Sequence, residues 1–296
     1  NFFGISATNY GDSGSSSNLV IDTTAGSVII NPEATDGRDG ISVSNFGYSF
    51  QGTSDVSIAT ADVTGALNGI YATNFSEGYA YAEGFAGASM LIDTSAGTVE
   101  GTLGNGIQAR HRGISGDGYA DLSITTANVK GGKYGIKAFA KADGYAGASV
   151  FIDTTAGTVT GLGEDGIEAR NEGESAYGAT DLIITTADVT GAEYGIFARN
   201  EADGYLGANL IIDTSDGAVE GKNRDGINVK NRGITTDSYQ GLEITADLVI
   251  TTGKVTGHGY GIYARNYAEG YSGSNVIINS RGGVTGTNED GIYATN

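Results

Sequence analysis

A Gly-Ile step, followed four residues later by Asn in most copies, recurs along the whole chain. The ten isoleucines of these steps are Ile5, Ile41, Ile70, Ile107, Ile136, Ile167, Ile196, Ile227, Ile262 and Ile292. The Asn column consists of Asn9, Asn45, Asn74, Asn171, Asn200, Asn231, Asn266 and Asn296, with His111 and Ala140 in the two remaining places. Successive copies lie 29 to 37 residues apart. Self-similarity in this range of periods indicates a solenoid, in which one structural coil stacks on the next.

Each copy begins with a segment whose polarity alternates from residue to residue. Between Gly195 and Asn200, the isoleucine, alanine and asparagine fall on one side, whereas Phe197 and Arg199 fall on the other. A period of two is typical of a β-strand. Because the first set is nearly constant among the copies and the second set varies, we expect the first set to face the interior.

Two further strands are expected in each copy. The second is a segment rich in Leu, Ile and Thr, such as residues 210–214, and the third is a very short strand around a valine. These valines are Val63, Val99, Val129, Val159, Val189, Val219, Val255 and Val284. The sequence therefore predicts an all-β, single-stranded parallel β-helix with about 30 residues per coil, three short strands per coil and nine to ten coils.

We expect residues 1–296 to form one continuous β-helix. Both termini fall within the repeat, which suggests an interior slice of a longer solenoid. Extra residues predict inserted loops near 31–39, 76–81 and 235–243. Departures from a repeat often carry binding specificity. We expect the Asn column itself to be structural, because stacked amides can satisfy turn backbone groups in neighbouring coils.

Composition excludes several classes of protein. The chain has 35 acidic and 16 basic residues, a net charge of −19, which disfavours nucleic-acid binding. It has no cysteine, and therefore no disulfide and no thiolate nucleophile. Its apolar runs are too short for a transmembrane helix, so we expect this segment to stay outside the membrane.

Few residues are candidates for catalysis. Gly257-His258-Gly259 is similar to the Gly-His-Gly of polygalacturonases, but the Asn-Thr-Asp and Asp-Asp motifs that supply acid and base are absent. We therefore interpret His258 as a surface turn residue and His111 as a substitute within the Asn column. We expect no catalytic residue and no cofactor.

A metal site is not expected either. Asp36 and Asp39 flank Arg38 with Glu33 nearby, but the spacing matches neither an EF-hand nor a calcium-binding nonapeptide.

An aromatic residue beside an acid recurs at one corner of every second coil. The residues of this aromatic-acid row are Glu83, Phe85, Asp143, Tyr145, Asp203, Tyr205, Glu269 and Tyr271. Stacking would place its members about two rungs, or ~9.6 Å, apart. Such a row suits a sugar or a basic protein patch. The alternative, which repetition alone favours, is that each ring only covers the corner and packs on its neighbours. We treat the row as a candidate ligand site.

Three phrases resemble the repeat-rich passenger domains of bacterial autotransporters, especially those of alphaproteobacteria. They are residues 165–171, 185–191 and 260–266 (Asp-Gly-Ile-Glu-Ala-Arg-Asn, Thr-Thr-Ala-Asp-Val-Thr-Gly and Tyr-Gly-Ile-Tyr-Ala-Arg-Asn). The resemblance covers essentially the whole chain and implies a right-handed β-helix. It also implies secretion through a C-terminal outer-membrane barrel outside this segment, and display on the bacterial cell surface or release from it.

We therefore expect a non-enzymatic surface adhesin that binds a host surface protein, matrix component or glycan. Self-association along the solenoid is a further expectation. One alternative is a purely structural fibre or spacer, and a second is a β-helix polysaccharide lyase or hydrolase.

Overall fold

The regular elements in the described part of the chain are all β-strands, joined by short turns. The computed structural model describes residues 4–12, 16–31, 38–48, 53–77, 87–114, 119–144, 147–175, 178–204, 207–234, 245–269 and 273–296. The strands are β1 (Ile5–Asp12), β2 (Ser17–Thr23), β3 (Val28–Ile29), β4 (Ile41–Tyr48), β5 (Ser54–Thr60), β6 (Val63–Gly65), β7 (Ile70–Glu77), β8 (Ala88–Gly101), β9 (Ile107–Ile114), β10 (Ala120–Gly131), β11 (Ile136–Gly144), β12 (Ala148–Gly161), β13 (Ile167–Ser175), β14 (Thr180–Gly191), β15 (Ile196–Gly204), β16 (Ala208–Gly221), β17 (Ile227–Ile234), β18 (Thr245–Gly257), β19 (Ile262–Glu269), β20 (Gly273–Ser280), β21 (Val284–Gly286) and β22 (Ile292–Thr295). Within these ranges there is no helix that could cross a membrane.

Two parallel sheets run along the molecule, and each coil adds one rung to both. The first sheet has ten strands in the order β1-β4-β7-β9-β11-β13-β15-β17-β19-β22. The second follows the path β2-β5-β8-β10-β12-β14-β16-β18-β20, with β3, β6 and β21 attached. Each residue of a first-sheet strand pairs with the equivalent residue of the next repeat; for example, Ile167 pairs with Ile196 and Asn171 with Asn200. The predicted parallel β-helix is therefore confirmed.

The core lies between the two sheets. The first sheet contributes its isoleucines and the small residues two positions later, such as Ile196 and Ala198, which are fully buried. The second contributes a Leu-Ile-Thr-Val series, for example Leu182, Ile184 and Val189. Burial of one such aliphatic side chain contributes ~1.5–3 kcal/mol, and each coil repeats it several times.

The glycine of the Gly-Ile step is required by close packing. A Cβ on Gly195 would lie 2.5 Å from Cγ1 of Val219 and 2.6 Å from the carbonyl oxygen of Gly226. The corresponding positions on the other rungs are equally crowded, for example at Gly166 and Gly226. Backbone and core of the next coil therefore exclude any side chain at this corner.

The strand and coil counts differ from the prediction in two details. The predicted third strand is separate only as β3, β6 and β21; from β8 to β18 it continues the second strand after a register shift. Such a bulge bends the chain without ending the strand.

The coil count is also slightly lower: about seven turns of ~31 residues have a neighbour on both sides in both sheets. The coils at the two ends pair on one side only.

Candidate ligand-binding face

The Asn column joins the two sheets at one corner of the solenoid. The Asn200 Nδ2 donates to the carbonyl oxygens of Thr180 (2.7 Å) and Asn209 (3.0 Å), which belong to successive coils. It also lies 3.1 Å from Oδ1 of Asn231, the next member of the column. Related bonds are made by Asn9, Asn45, Asn74, Asn171, Asn231, Asn266 and Asn296. These bonds fix how the first sheet presents its outer side.

The column is interrupted at His111 and Ala140. His111 is buried and places Nε2 2.8 Å from the carbonyl oxygen of Ala88, the acceptor that an asparagine would use. Burial lowers the pKa of His111 to about 4, which keeps the imidazole neutral at physiological pH. Its Nδ1 and the Oδ1 of Asn171 are buried and have no hydrogen-bond partner among the described residues.

A second polar column, which was not predicted from the sequence, is formed by Asn and Asp residues that precede some of the Gly-Ile steps. Asn68 Oδ1 accepts the backbone N–H of Asn105 at 2.8 Å. Asp165 and Asp225 accept those of Tyr194 (3.1 Å) and Tyr260 (2.9 Å) in the following coil. The sequence carries the signal as an Asn or Asp immediately before Gly69, Gly106, Gly166 and Gly226.

The predicted aromatic-acid row is only partly described. Glu83, Phe85, Tyr145, Tyr205 and Tyr271 lie outside the described residues, as do most of the inserted loop near 31–39, residues 78–81 and the whole of 235–243. Asp143, Asp203 and Glu269 lie at the ends of first-sheet strands, facing outward. Asp143 is bound by Arg112 (2.9 Å) and Lys141 (3.1 Å), while Asp203 and Glu269 are exposed. These acids thus border the outer side of the first sheet.

The two positions weighed for catalysis and metal binding have ordinary contacts. His258 is exposed, and its Nε2 lies 2.8 Å from Nδ2 of Asn288. Asp39 is buried, where desolvation raises its pKa, and it accepts from the Asn68 side chain at 2.8 Å. Glu33 and Asp36 fall outside the described ranges. Among the residues that are described, no three His, Cys, Asp or Glu side chains could share a metal ion.

The outer side of the first sheet carries the most distinctive surface. We call the outward residues at the second, fourth and sixth positions of its strands the basic–aromatic face. Its basic members are Arg110, Arg112, Lys137, Lys141, Arg170, Arg199, Lys230, Arg232 and Arg265, and its aromatic members are Tyr10, Phe46, Tyr71, Phe75, Phe139, Phe197, Tyr263, Tyr267 and Tyr293. Its described acidic members are Glu168, Glu172 and Glu201. Nine cations against three acids give these three positions a net charge of +6 on a chain of net charge −19, and the eighth position of the same strands adds a border of acids, namely Glu77, Asp143, Glu174, Asp203 and Glu269.

Four cations occupy adjacent rungs of this face. Arg170 pairs with Arg199, Arg199 with Lys230, and Lys230 with Arg265. We call these four residues the cation column; neighbouring strands place its members ~4.8 Å apart at the backbone. Like charges directly opposite each other on neighbouring strands destabilise a sheet by ~0.2–1 kcal/mol per pair.

Only part of this repulsion is relieved by acids. Glu201 contacts Arg199 (2.7 Å) and Lys230 (3.1 Å), and the buried Glu168 contacts Lys137 (2.7 Å) and Arg170 (2.8 Å). Within the described part of the chain, Arg110, Arg232 and Arg265 form no ion pair. Cationic groups of this face therefore remain available to an anion.

Aromatic rings alternate with these cations and lie beneath several of them. The guanidinium carbon of Arg170 is 5.6 Å from the ring centre of Phe197, and that of Arg265 is 5.1 Å from Tyr263. The Lys137 Nζ is 4.1 Å from the ring centre of Tyr134, at the adjoining corner. Cation–π contacts of this kind hold the charged groups over the faces of the rings.

An open groove of about 720 Å³ crosses the face over β4 to β13. Aromatic rings of Phe46, Tyr71, Phe75 and Phe139 and the cations Arg110, Arg112, Lys137 and Arg170 line it, with Glu168 as its acidic member. The combination of ring faces and cations suits a ligand that has both apolar and anionic groups.

Charged residues of the second sheet are arranged differently from those of the cation column. One of its outer columns alternates Asp with Ser or Asn, so that Asp181 is followed by Asn209, which donates to it at 2.9 Å. Ser89 donates to Asp55 (2.6 Å) and Asn275 donates to Asp247 (2.8 Å) in the same column. Neutral donors therefore separate the like charges there, whereas the cation column has no such spacers.

Comparison of the chain with protein-family models, with curated proteins and with solved structures gives no match.

Proposed function

We propose that this chain is a non-enzymatic adhesive rod of a bacterial surface or secreted passenger, and that its ligand lies on the basic–aromatic face. The observation that supports the proposal is the cation column. Like charges on adjacent rungs destabilise the fold, and the second sheet avoids this because charged and neutral residues alternate along its outer column. Retention of four consecutive cations therefore favours an external anionic partner over a purely structural purpose.

The rod itself supplies reach and rigidity. Each described coil is bonded to its neighbours through two sheets, and many coils also through a polar column, so the surface lies on a continuous hydrogen-bonded support. A rigid face loses little conformational entropy when a ligand binds.

A matched pair of triple variants tests the proposal. Arg110→Gln, Arg170→Gln and Arg265→Gln together remove three charges from the face. Lys130→Gln, Lys222→Gln and Lys254→Gln remove three exposed charges elsewhere. We expect immobilised wild-type chain and the control variant to capture host cells or extracted matrix and glycans, and the face variant to lose most of that capture.

Two results would overturn the proposal. Capture by the wild type no greater than by an unrelated acidic protein would favour the structural spacer. Turnover of an acidic polysaccharide by the purified chain would favour the β-helix enzyme.

A further inference from the structure

We infer that the basic–aromatic face binds a linear acidic polysaccharide, one that carries carboxylate or sulfate groups along a sugar backbone, extended along the stacking direction of the coils. This inference rests on the proposed function and specifies its ligand.

The arrangement of charge favours an extended, periodic anion. The same strand position is held by Arg110 and Phe139 on the two rungs before the cation column, so five charges follow the rod axis over six rungs with one aromatic residue among them. A compact anion could engage two or three of these groups only. A polymer with regularly repeated anionic groups can engage the whole column at once, which raises its avidity.

The aromatic residues favour sugar rings between the anionic groups. In the groove, Tyr71, Phe75 and Phe139 are half-buried and lie among Arg110, Arg112 and Lys137. Ring faces pack against the apolar C–H faces of sugars, while arginine donates paired hydrogen bonds to carboxylate or sulfate.

The border of the face favours a polysaccharide over a nucleic acid strand. Asp143, Glu174 and Asp203 occupy adjacent rungs along one border of the basic–aromatic face. These carboxylates can accept hydrogen bonds from sugar hydroxyl groups. A deoxyribose-phosphate strand has no free hydroxyl group along its chain and cannot make these hydrogen bonds.

Binding in solution to defined polymers tests the inference. The probes are heparin for sulfate groups, polygalacturonate for carboxylate groups, neutral dextran, and single-stranded oligothymidylate. We expect the whole 296-residue chain to bind heparin or polygalacturonate, not dextran, with an affinity that falls as salt rises. The face variant should bind about tenfold or more weakly with a shallower salt dependence, because three charge contacts are lost, while the matched control variant binds like the wild type.

A second pair of variants tests the aromatic contribution. Phe139→Ser should weaken polysaccharide binding several-fold without changing the salt dependence, whereas Phe151→Ser, on the outer side of the second sheet, should not. Circular dichroism of all variants verifies that the β-fold is retained.

Three results would overturn this inference. They are equal affinities of the two triple variants, preference for oligothymidylate, or binding to neither polysaccharide. If host cells or matrix proteins are still captured through Arg110, Arg170 and Arg265, the adhesive function stands and only the ligand class is wrong. If nothing is captured at all, both proposals fail.

Discussion

At the scale of single residues, the Asn column has one gap that can be closed. Ala140 occupies an asparagine place, and the Asn171 Oδ1 opposite it is buried without a described donor. Each asparagine in the continuous run donates to the next one, as Asn200 does to Asn231 at 3.1 Å. The alanine therefore leaves an acceptor that the repeat elsewhere satisfies.

We expect Ala140→Asn to stabilise the chain. The new amide would donate to Asn171 Oδ1, and one satisfied buried acceptor is worth about 1 kcal/mol. The midpoint of denaturant unfolding should rise. Ala138→Asn is the matched control, since Ala138 is buried in the apolar core and should not tolerate an amide. A lower midpoint for Ala140→Asn, as for the control, would contradict the column geometry.

Asp165 is a residue whose charge costs stability. Burial raises the pKa of Asp165 to about 6. The hydrogen bond from the N–H of Tyr194 lowers this pKa, and the negative charge of nearby Glu168 raises it. The ordinary value is 3.8, so the folded chain holds a proton there that the unfolded chain has already lost. Stability should therefore fall as pH rises from about 4 to about 6, and the cost persists above that range.

We expect Asp165→Asn to stabilise the chain by about 1–2 kcal/mol at pH 7.5 and to have little effect near pH 4. Asn68 and Asn105 already hold the equivalent place in their coils. Thermal unfolding at the two pH values measures the difference. Asp225→Asn is the control, because both Asp225 oxygens accept hydrogen bonds and an amide would lose one of them. An equal gain at both pH values would show that the carboxylate charge is not the cause.

At the scale of the strands, alternation of charged and neutral side chains on successive rungs stabilises the second sheet. On the second sheet Ser149 lies between Asp121 and Asp181 in adjacent strands and donates to Asp121. A neutral donor thus separates two carboxylates that would otherwise be direct neighbours. The cation column of the first sheet lacks this separation, which is the reason for assigning it to a ligand.

We expect Ser149→Asp to destabilise the chain by ~0.5–1 kcal/mol at low salt, because three carboxylates would then occupy consecutive rungs. High salt should reduce the loss by screening. Ser149→Asn should be nearly neutral, since Asn209 and Asn275 occupy the same column. Unfolding midpoints at low and high salt measure both effects. A salt-independent loss would point to packing instead of charge.

At the scale of the whole molecule, the chain behaves as a stack of coils that contact only their neighbours. The inward isoleucine of the last coil, Ile292, is 44% exposed, whereas the equivalent Ile167 and Ile196 of central coils are fully buried. Stability in such a stack is approximately a sum of coil and interface contributions.

We expect hydrogen exchange of the 296-residue chain to be fastest in β1–β3 and β20–β22 and slowest in β11–β16. Mass spectrometry of peptides along the chain measures this gradient. Uniform exchange over all coils would instead indicate one globally cooperative unit.

Much of the fold could be predicted from the sequence, because it depends on short-range alternation. Residues two apart face the same side of a strand, so the constant Ile-Ala-Asn set identified the interior without knowledge of neighbouring coils. The third strand was harder, since its continuity with the second depends on a bulge that composition does not reveal.

The sequence by itself determined the parallel β-helix, its coil length and its core, because these follow from a repeat that every coil shares. Arg170, Arg199, Lys230 and Arg265 each stand three residues after the isoleucine of a Gly-Ile step, so the repeat also places them in one line. Only the tertiary structure decided which outer residues pair with one another, because the contacts of Glu168 and Glu201 with these cations depend on side-chain geometry in neighbouring coils. A net charge of −19 hid this basic surface, because total charge averages over faces that folding separates.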